Sequence, residues 1–170
     1  MYRCHTQFYL IGCQRRMYEI LKNIPFSKSF TPSFVESDTP VQAIIEKADV
    51  ILADLQTADA AAVVRQLTAA RKTGAELILL VQRKQIPSLS EYLTDVKDIW
   101  VAPMSDEELC FRFQRWQEAY KMRWDAWEAS QYLESTINSV PNLIWYKTKD
   151  GIHEKVNESF CQTVGKTKAQ

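Results

Sequence analysis

Residues 49–59 read DVILADLQTAD: an acid, four apolar residues, and a second acid at Asp54. An apolar run without polar alternation marks a strand buried on both faces, as in a parallel sheet covered by helices. Such a strand delivers the residue that ends it to the carboxyl edge of the sheet, where open α/β folds bind their ligands. Asp54 is therefore the first candidate functional residue. Its carboxylate either reacts at that edge or simply accepts backbone hydrogen bonds from the turn that follows.

Outward from this strand, apolar runs alternate with stretches of helical period. QFYLIGC (7–13) predicts the first strand, and RRMYEILKNI (15–24) the first helix, with Met17, Ile20, Leu21 and Ile24 on one face. FSKSFTPSFVES (26–37) predicts a short second strand that Pro32 splits or confines to an edge. SDTPVQAIIEKA (37–48) predicts a helix with Thr39 as N-cap and Pro40 at its first position. Residues 58–73 predict a helix that stops at Gly74, and AELILLV (75–81) a second buried strand. SLSEYLTDV (88–96) predicts a short helix opened by Ser88 or Ser90, and DIWVAP (98–103) a fifth strand. Elements alternating in this way predict an α/β fold, a five-stranded doubly wound parallel sheet occupying residues 1–120.

Composition narrows the function. Hydrophobic residues make up 46% and charged residues 25% of the 170, the balance of an ordinary soluble globular chain. Twenty-one basic residues offset 21 acidic ones, so nucleic-acid binding has no electrostatic support. The apolar runs are far shorter than the roughly 20 residues of a membrane helix, and the start lacks a signal-peptide layout, so membrane insertion is not expected and a cytoplasmic location is. Cys4, Cys13, Cys110 and Cys161 form no CxxC pair, which fits reduced thiols and no metal site. His5 and His153 stand apart from any acid or cysteine partner in sequence and read as surface residues. Arg15 and Arg16 follow the first strand, where they could bind an anion at the sheet edge, but they read first as a solvated helix start.

From Ser105 to Val140 there is neither glycine nor proline, and Ser105 with Glu108 three residues on predicts a capping box. The resulting helix would be about 50 Å long and is expected to project from the domain that starts it. Leu109, Phe113, Trp116 and Tyr120 keep a 4-3-4 spacing, suited to packing on the domain and then on a partner helix. The next seam positions hold Arg123, Ser130 and Glu134, while Trp124, Trp127, Leu133 and Ile137 shift register, as in a coiled coil with a stutter. The expected interface is Leu109, Phe113, Trp116, Tyr120 and Trp127, and the expected partner a second copy of the chain. The other reading folds the aromatics back on their own domain. After Pro141 two strand-like runs flank Asp150-Gly151, a hairpin-turn dipeptide, and a last helix follows.

On Asp49, Asp54 and the stretch DIWVAPMSDEEL, residues 1–120 resemble the receiver domain of two-component signalling. The resemblance implies a receiver-like, flavodoxin-like fold with Asp54 at the phospho-accepting position. It also exposes departures. The acid pair that holds magnesium in a working receiver falls on Gly12 and Cys13, the lysine before the proline on Ala102, and the serine or threonine of the fourth strand on Val81 or Gln82. A hard cation needs more than one carboxylate, and phosphoryl transfer needs its charge neutralised, so these losses predict a receiver-like module that signals without phosphorylation. The alternative is a phosphorylation-competent receiver using Asp54 with acids from elsewhere, such as Asp59 or Glu36, and a third reading is a plain dimerisation scaffold. SVPNLIWYKTKDGIHEKVNESFCQTVG, with Pro141, Asn157, Phe160 and Gly165, resembles the first third of a PAS domain. Residues 141–170 are then expected to be partly disordered, docked on the helix, or paired with another copy. With both resemblances, the chain reads as the front part of a bacterial diguanylate cyclase or histidine kinase. It carries no catalytic unit of its own and no cofactor, and it has protein partners in a signalling pathway.

Overall fold

A computed structural model describes residues 4–25 and 30–168. It divides into two units, one ending at Glu118 and one beginning at Ala119. The first holds β1 (Cys4–Ile11), α1 (Arg15–Asn23), β2 (Phe30–Ser37), α2 (Gln42–Ile45), β3 (Val50–Asp54), α3 (Ala60–Ala70), β4 (Glu76–Gln82) and β5 (Asp98–Ala102). The helix α4 (Asp106–Asn138) begins in the first unit and ends in the second, which adds β6 (Trp145–Lys147), β7 (His153–Val156) and α5 (Glu158–Val164).

All five strands of the large sheet are parallel, in the order β2-β1-β3-β4-β5. This is the flavodoxin-like, doubly wound order. The apolar strands read from the sequence are the central ones: Val50 to Ala53 and Leu77 to Val81 are all buried. On one face Tyr9, Ile11, Ile51, Ala53, Leu77, Leu79 and Val81 pack against Ile45, Val64, Leu67 and Leu89. On the other, Phe8 meets Phe34, Phe113 and Trp116 at ring-centroid distances of 5.0, 5.8 and 5.3 Å.

Pro32 sits inside β2 without breaking it, because β2 is an edge strand with no neighbour on its outer side among the described residues. The front of the predicted second strand, residues 26–29, lies outside the described residues.

Four expectations are corrected. The helix predicted from Thr39 is only Gln42–Ile45, with Val41 at its N-cap. The buried Tyr9 hydroxyl donates to the Thr39 carbonyl and accepts from the Val41 N–H, both at 3.0 Å, which holds residues 39–41 extended. α3 stops at Ala70 rather than at Gly74. Arg71 leaves the helix with extended backbone and donates to the Asp95 carbonyl at 2.5 Å and to its carboxylate at 3.0 Å. The short helix after β4 is a 3-10 run from Arg83 to Tyr92. It is opened by Gln82 and Gln85, which cap each other's backbone, rather than by Ser88 or Ser90. Only half of the Ser105 capping box forms. The Ser105 hydroxyl accepts from the Glu108 N–H at 3.2 Å, but the Glu108 carboxylate is taken by Arg112 at 3.0 Å.

Candidate functional site

Asp54 ends β3 at the carboxyl edge of the sheet, half-buried. Both carboxylate oxygens are engaged by one residue. The Gln56 carboxamide donates to Oδ1 at 3.0 Å and to Oδ2 at 3.1 Å, and the Gln56 backbone N–H donates to Oδ1 at 3.2 Å. The loop behind this clasp is pinned by Gln85, whose carboxamide donates to the carbonyls of Leu55 (2.8 Å) and Ala58 (3.1 Å).

Gly12 follows β1 with φ +64°, and its N–H donates to the Ser37 carbonyl at 2.8 Å. A Cβ built there would lie 2.9 Å from the Asp54 carbonyl oxygen. The glycine is therefore demanded by the contact between the ends of β1 and β3, and an acid cannot occupy this position in this geometry. The half-buried Cys13 directs its thiol to the carbonyls of Ile11 (3.6 Å) and Leu52 (3.7 Å). Burial, and then the Asp54 charge, push this thiol up to about 12. It stays protonated and is a poor nucleophile or metal ligand.

Asp54, Gln56, Ala102 and Leu80 share a crevice of about 220 Å³ with Gln14, Arg16, Met17, Ser105, Asp106 and Leu109. The position before the cis Ala102–Pro103 peptide presents only a methyl group. The cation of this crevice comes from elsewhere: Arg16, just inside α1, donates to Asp106 at the start of α4 through Nη2 at 2.5 Å and Nε at 3.2 Å. Leu80 rather than Val81 or Gln82 lines the crevice. Asp59 instead caps α3, accepting from the Ala62 N–H at 3.3 Å, and Glu36 lies on β2. Asp49 is at the opposite end of β3, where it accepts from Gln7 at 2.7 Å and from Lys72 at 2.6 Å.

The donor set can be weighed against a divalent cation. Two carboxylates line the crevice. One is covered by Gln56 and the other is held by Arg16. A hard cation takes about six oxygen ligands, so these residues do not fit one.

The residues expected at a helix interface divide. Leu109, Phe113 and Trp116 are buried in the first unit, and Trp116 Nε1 donates to Glu76 at 2.8 Å. They serve the chain's own core and are not on offer to a second copy. Tyr120 is half-buried with the Arg123 guanidinium 5.8 Å above its ring, and Trp127 is exposed beside Trp124 at 5.2 Å.

No protein-family model and no curated protein matches the sequence. Among solved structures, a receiver domain of a response regulator from Clostridium thermocellum is similar at a TM-score of 0.48 and 8% identity, over 69% of this chain and 98% of that one. A Sinorhizobium meliloti protein assigned as the pilus assembly protein CpaE2 is similar at 0.48 and 14%, over 64% and 98%. The pilus assembly protein CpaE of Caulobacter crescentus is similar at 0.46 and 6%, over 66% and 94%. At these values the likeness adds nothing to the strand order, which alone carries the fold. Among the described residues no helix is long and apolar enough to cross a membrane.

The sequence pointed to Asp54, Cys13 and Ala102 at one sheet edge, and the structure brings them there. Gln56 and Asp106 were missed in the sequence, and Arg16 was placed after the first strand without its acidic partner. Gln56 had a usable signal, since a polar residue two places after a strand-ending aspartate can close a side-chain turn on it. The Arg16–Asp106 pair joins residues 90 apart and had none.

Proposed function

We propose that this chain is a non-catalytic, cytoplasmic regulatory module of a bacterial signalling protein, with a receiver-like domain that operates without phosphorylation. Its state passes along α4, paired with the α4 of a second copy, toward PAS and output domains and the protein partners of that pathway. The observation that carries this reading is the closed Asp54 carboxylate. Both of its oxygens accept from Gln56, and the neighbouring positions are a sterically required glycine, a protonated thiol and an alanine.

The homodimer is supported by the face of α4 that continues beyond the first unit. Tyr120, Trp124 and Trp127 extend the line of Phe113 and Trp116, with eleven residues from Phe113 to Trp124 and from Trp116 to Trp127. An eleven-residue repeat keeps one face of a helix in line for pairing. Arg123 and Glu128 flank this stripe on opposite sides, where charged residues of parallel pairs meet. Sedimentation equilibrium at micromolar concentration tests the pairing. A dimer that becomes a monomer in the Trp124→Glu, Trp127→Glu double variant is expected, and a wild-type monomer would sink this part of the proposal. Detection of a stable phospho-form on Asp54 would sink the other part.

A further inference from the structure

In the second unit Asn157 is fully buried, and no apolar side chain among the described residues is. This reverses the usual order of burial, in which aliphatic side chains lead and asparagine is mostly exposed. Asn157 lies between β7 and α5, and its carboxamide reaches three segments. Nδ2 donates to the carbonyls of Ile137 (3.1 Å) in the last turn of α4, and of Val140 (3.3 Å) and Asn142 (2.8 Å) in the connector. Oδ1 accepts from the Ile144 N–H (3.0 Å) and from the Phe160 N–H (3.1 Å), the latter as N-cap of α5.

The neighbours repeat the pattern. The Glu158 N–H donates to the Asn138 side chain at 2.9 Å, the Ser159 hydroxyl to the Val140 carbonyl at 3.2 Å, and the Asn157 N–H to the Ile144 carbonyl at 3.0 Å. The last carbonyls of a helix have no partner within it and must find one outside. Here the partner of the Ile137 carbonyl, in the last turn of α4, is a side chain 20 residues further on.

We infer that Asn157 is a latch that makes the termination of α4 and the docking of residues 141–168 a single two-state element. The tail cannot leave without uncapping the end of the long helix and the start of α5 together. The apolar contacts of the docked form, such as Trp145 against Phe160 at 5.7 Å, are only partly buried, and this fully buried side chain decides the equilibrium. The inference concerns the second unit alone and stands whether or not Asp54 is phosphorylated.

Hydrogen exchange on the full chain tests it, with Asn157→Ala and Asn157→Asp. In Asn157→Ala the amides of Ile144 and Phe160 and those of α5 are expected to lose at least tenfold in protection together, with β1, β3 and β4 unchanged. Asn157→Asp keeps the acceptor but aims a carboxylate at three carbonyls. It is expected to lose protection at neutral pH and to regain part of it when the carboxyl is protonated and can donate again. Unchanged protection in Asn157→Ala overturns the inference. So does loss at Phe160 alone, which would reduce Asn157 to an ordinary N-cap.

Discussion

A side chain at Gly12 has nowhere to go, because its backbone lies against the Asp54 carbonyl and its φ is positive. Gly12→Ala is expected to cost about 1–3 kcal/mol in urea unfolding, and an acid at this position more. One residue on, the folded Cys13 thiol titrates at about 12 against an ordinary 9.0. Below 9 both states hold the proton, so stability does not depend on this group. As pH rises from 9 toward 12 the unfolded chain loses the proton and the folded chain keeps it, so stability falls. Cys13→Ala is expected to remove that part of the loss, seen by comparing urea midpoints at about pH 8 and about pH 10. An unchanged pH slope would show that the thiol is not held protonated by the fold. At this scale the sequence placed Asp54, Gly12 and Cys13 at one sheet edge but did not show why glycine stands at 12. The contact that requires glycine joins two strand ends some 40 residues apart, and only coordinates reveal it.

Elements were legible where burial decides and illegible where single polar contacts decide. The strands at 50–54 and 76–82 follow from runs whose two faces are both apolar. The start of α2 does not, because the Tyr9 hydroxyl from a neighbouring strand substitutes for the Thr39 cap. Tyr9→Phe removes that bridge inside the core and is expected to destabilise the chain by about 1–3 kcal/mol while leaving the sheet intact, read by urea unfolding and far-UV dichroism. Asp59, which appeared only as a possible cation ligand, caps α3, and Asp59→Ala is expected to cost ~1 kcal/mol. A much larger loss would assign Asp59 a role beyond the cap. The 3-10 run was missed in the same way, since Gln82 and Gln85 supply a capping box with side chains that rarely signal one.

On the scale of the whole molecule, a conventional α/β domain with two buried faces is followed by a unit in which no apolar side chain among the described residues is fully buried. Met122, Trp127, Tyr132, Leu133, Trp145, Tyr146 and Ile152 are all more than half exposed. Protection against hydrogen exchange is expected to be deep in β1, β3 and β4 and shallow in the second unit, and residues 119–136 should gain protection with protein concentration if α4 pairs. The alternation of strands and helices and the continuous helix were legible, because periodicity records burial and α4 contains no breaker. The expected end of the sheet domain at residue 120 falls close to the division at Glu118, but Leu109, Phe113, Trp116 and Tyr120 carry one spacing across it, and the spacing does not tell that only the first three are buried. The proposed function requires that Asp54 does not accept a phosphoryl group. Its most direct test is intact-protein mass spectrometry after incubation with acetyl phosphate and magnesium, on the wild-type chain and on Asp54→Asn. The same mass for each protein before and after incubation is the predicted result. A phosphoryl adduct present in the wild type and absent from Asp54→Asn would contradict the account and restore Asp54 as a working phospho-acceptor.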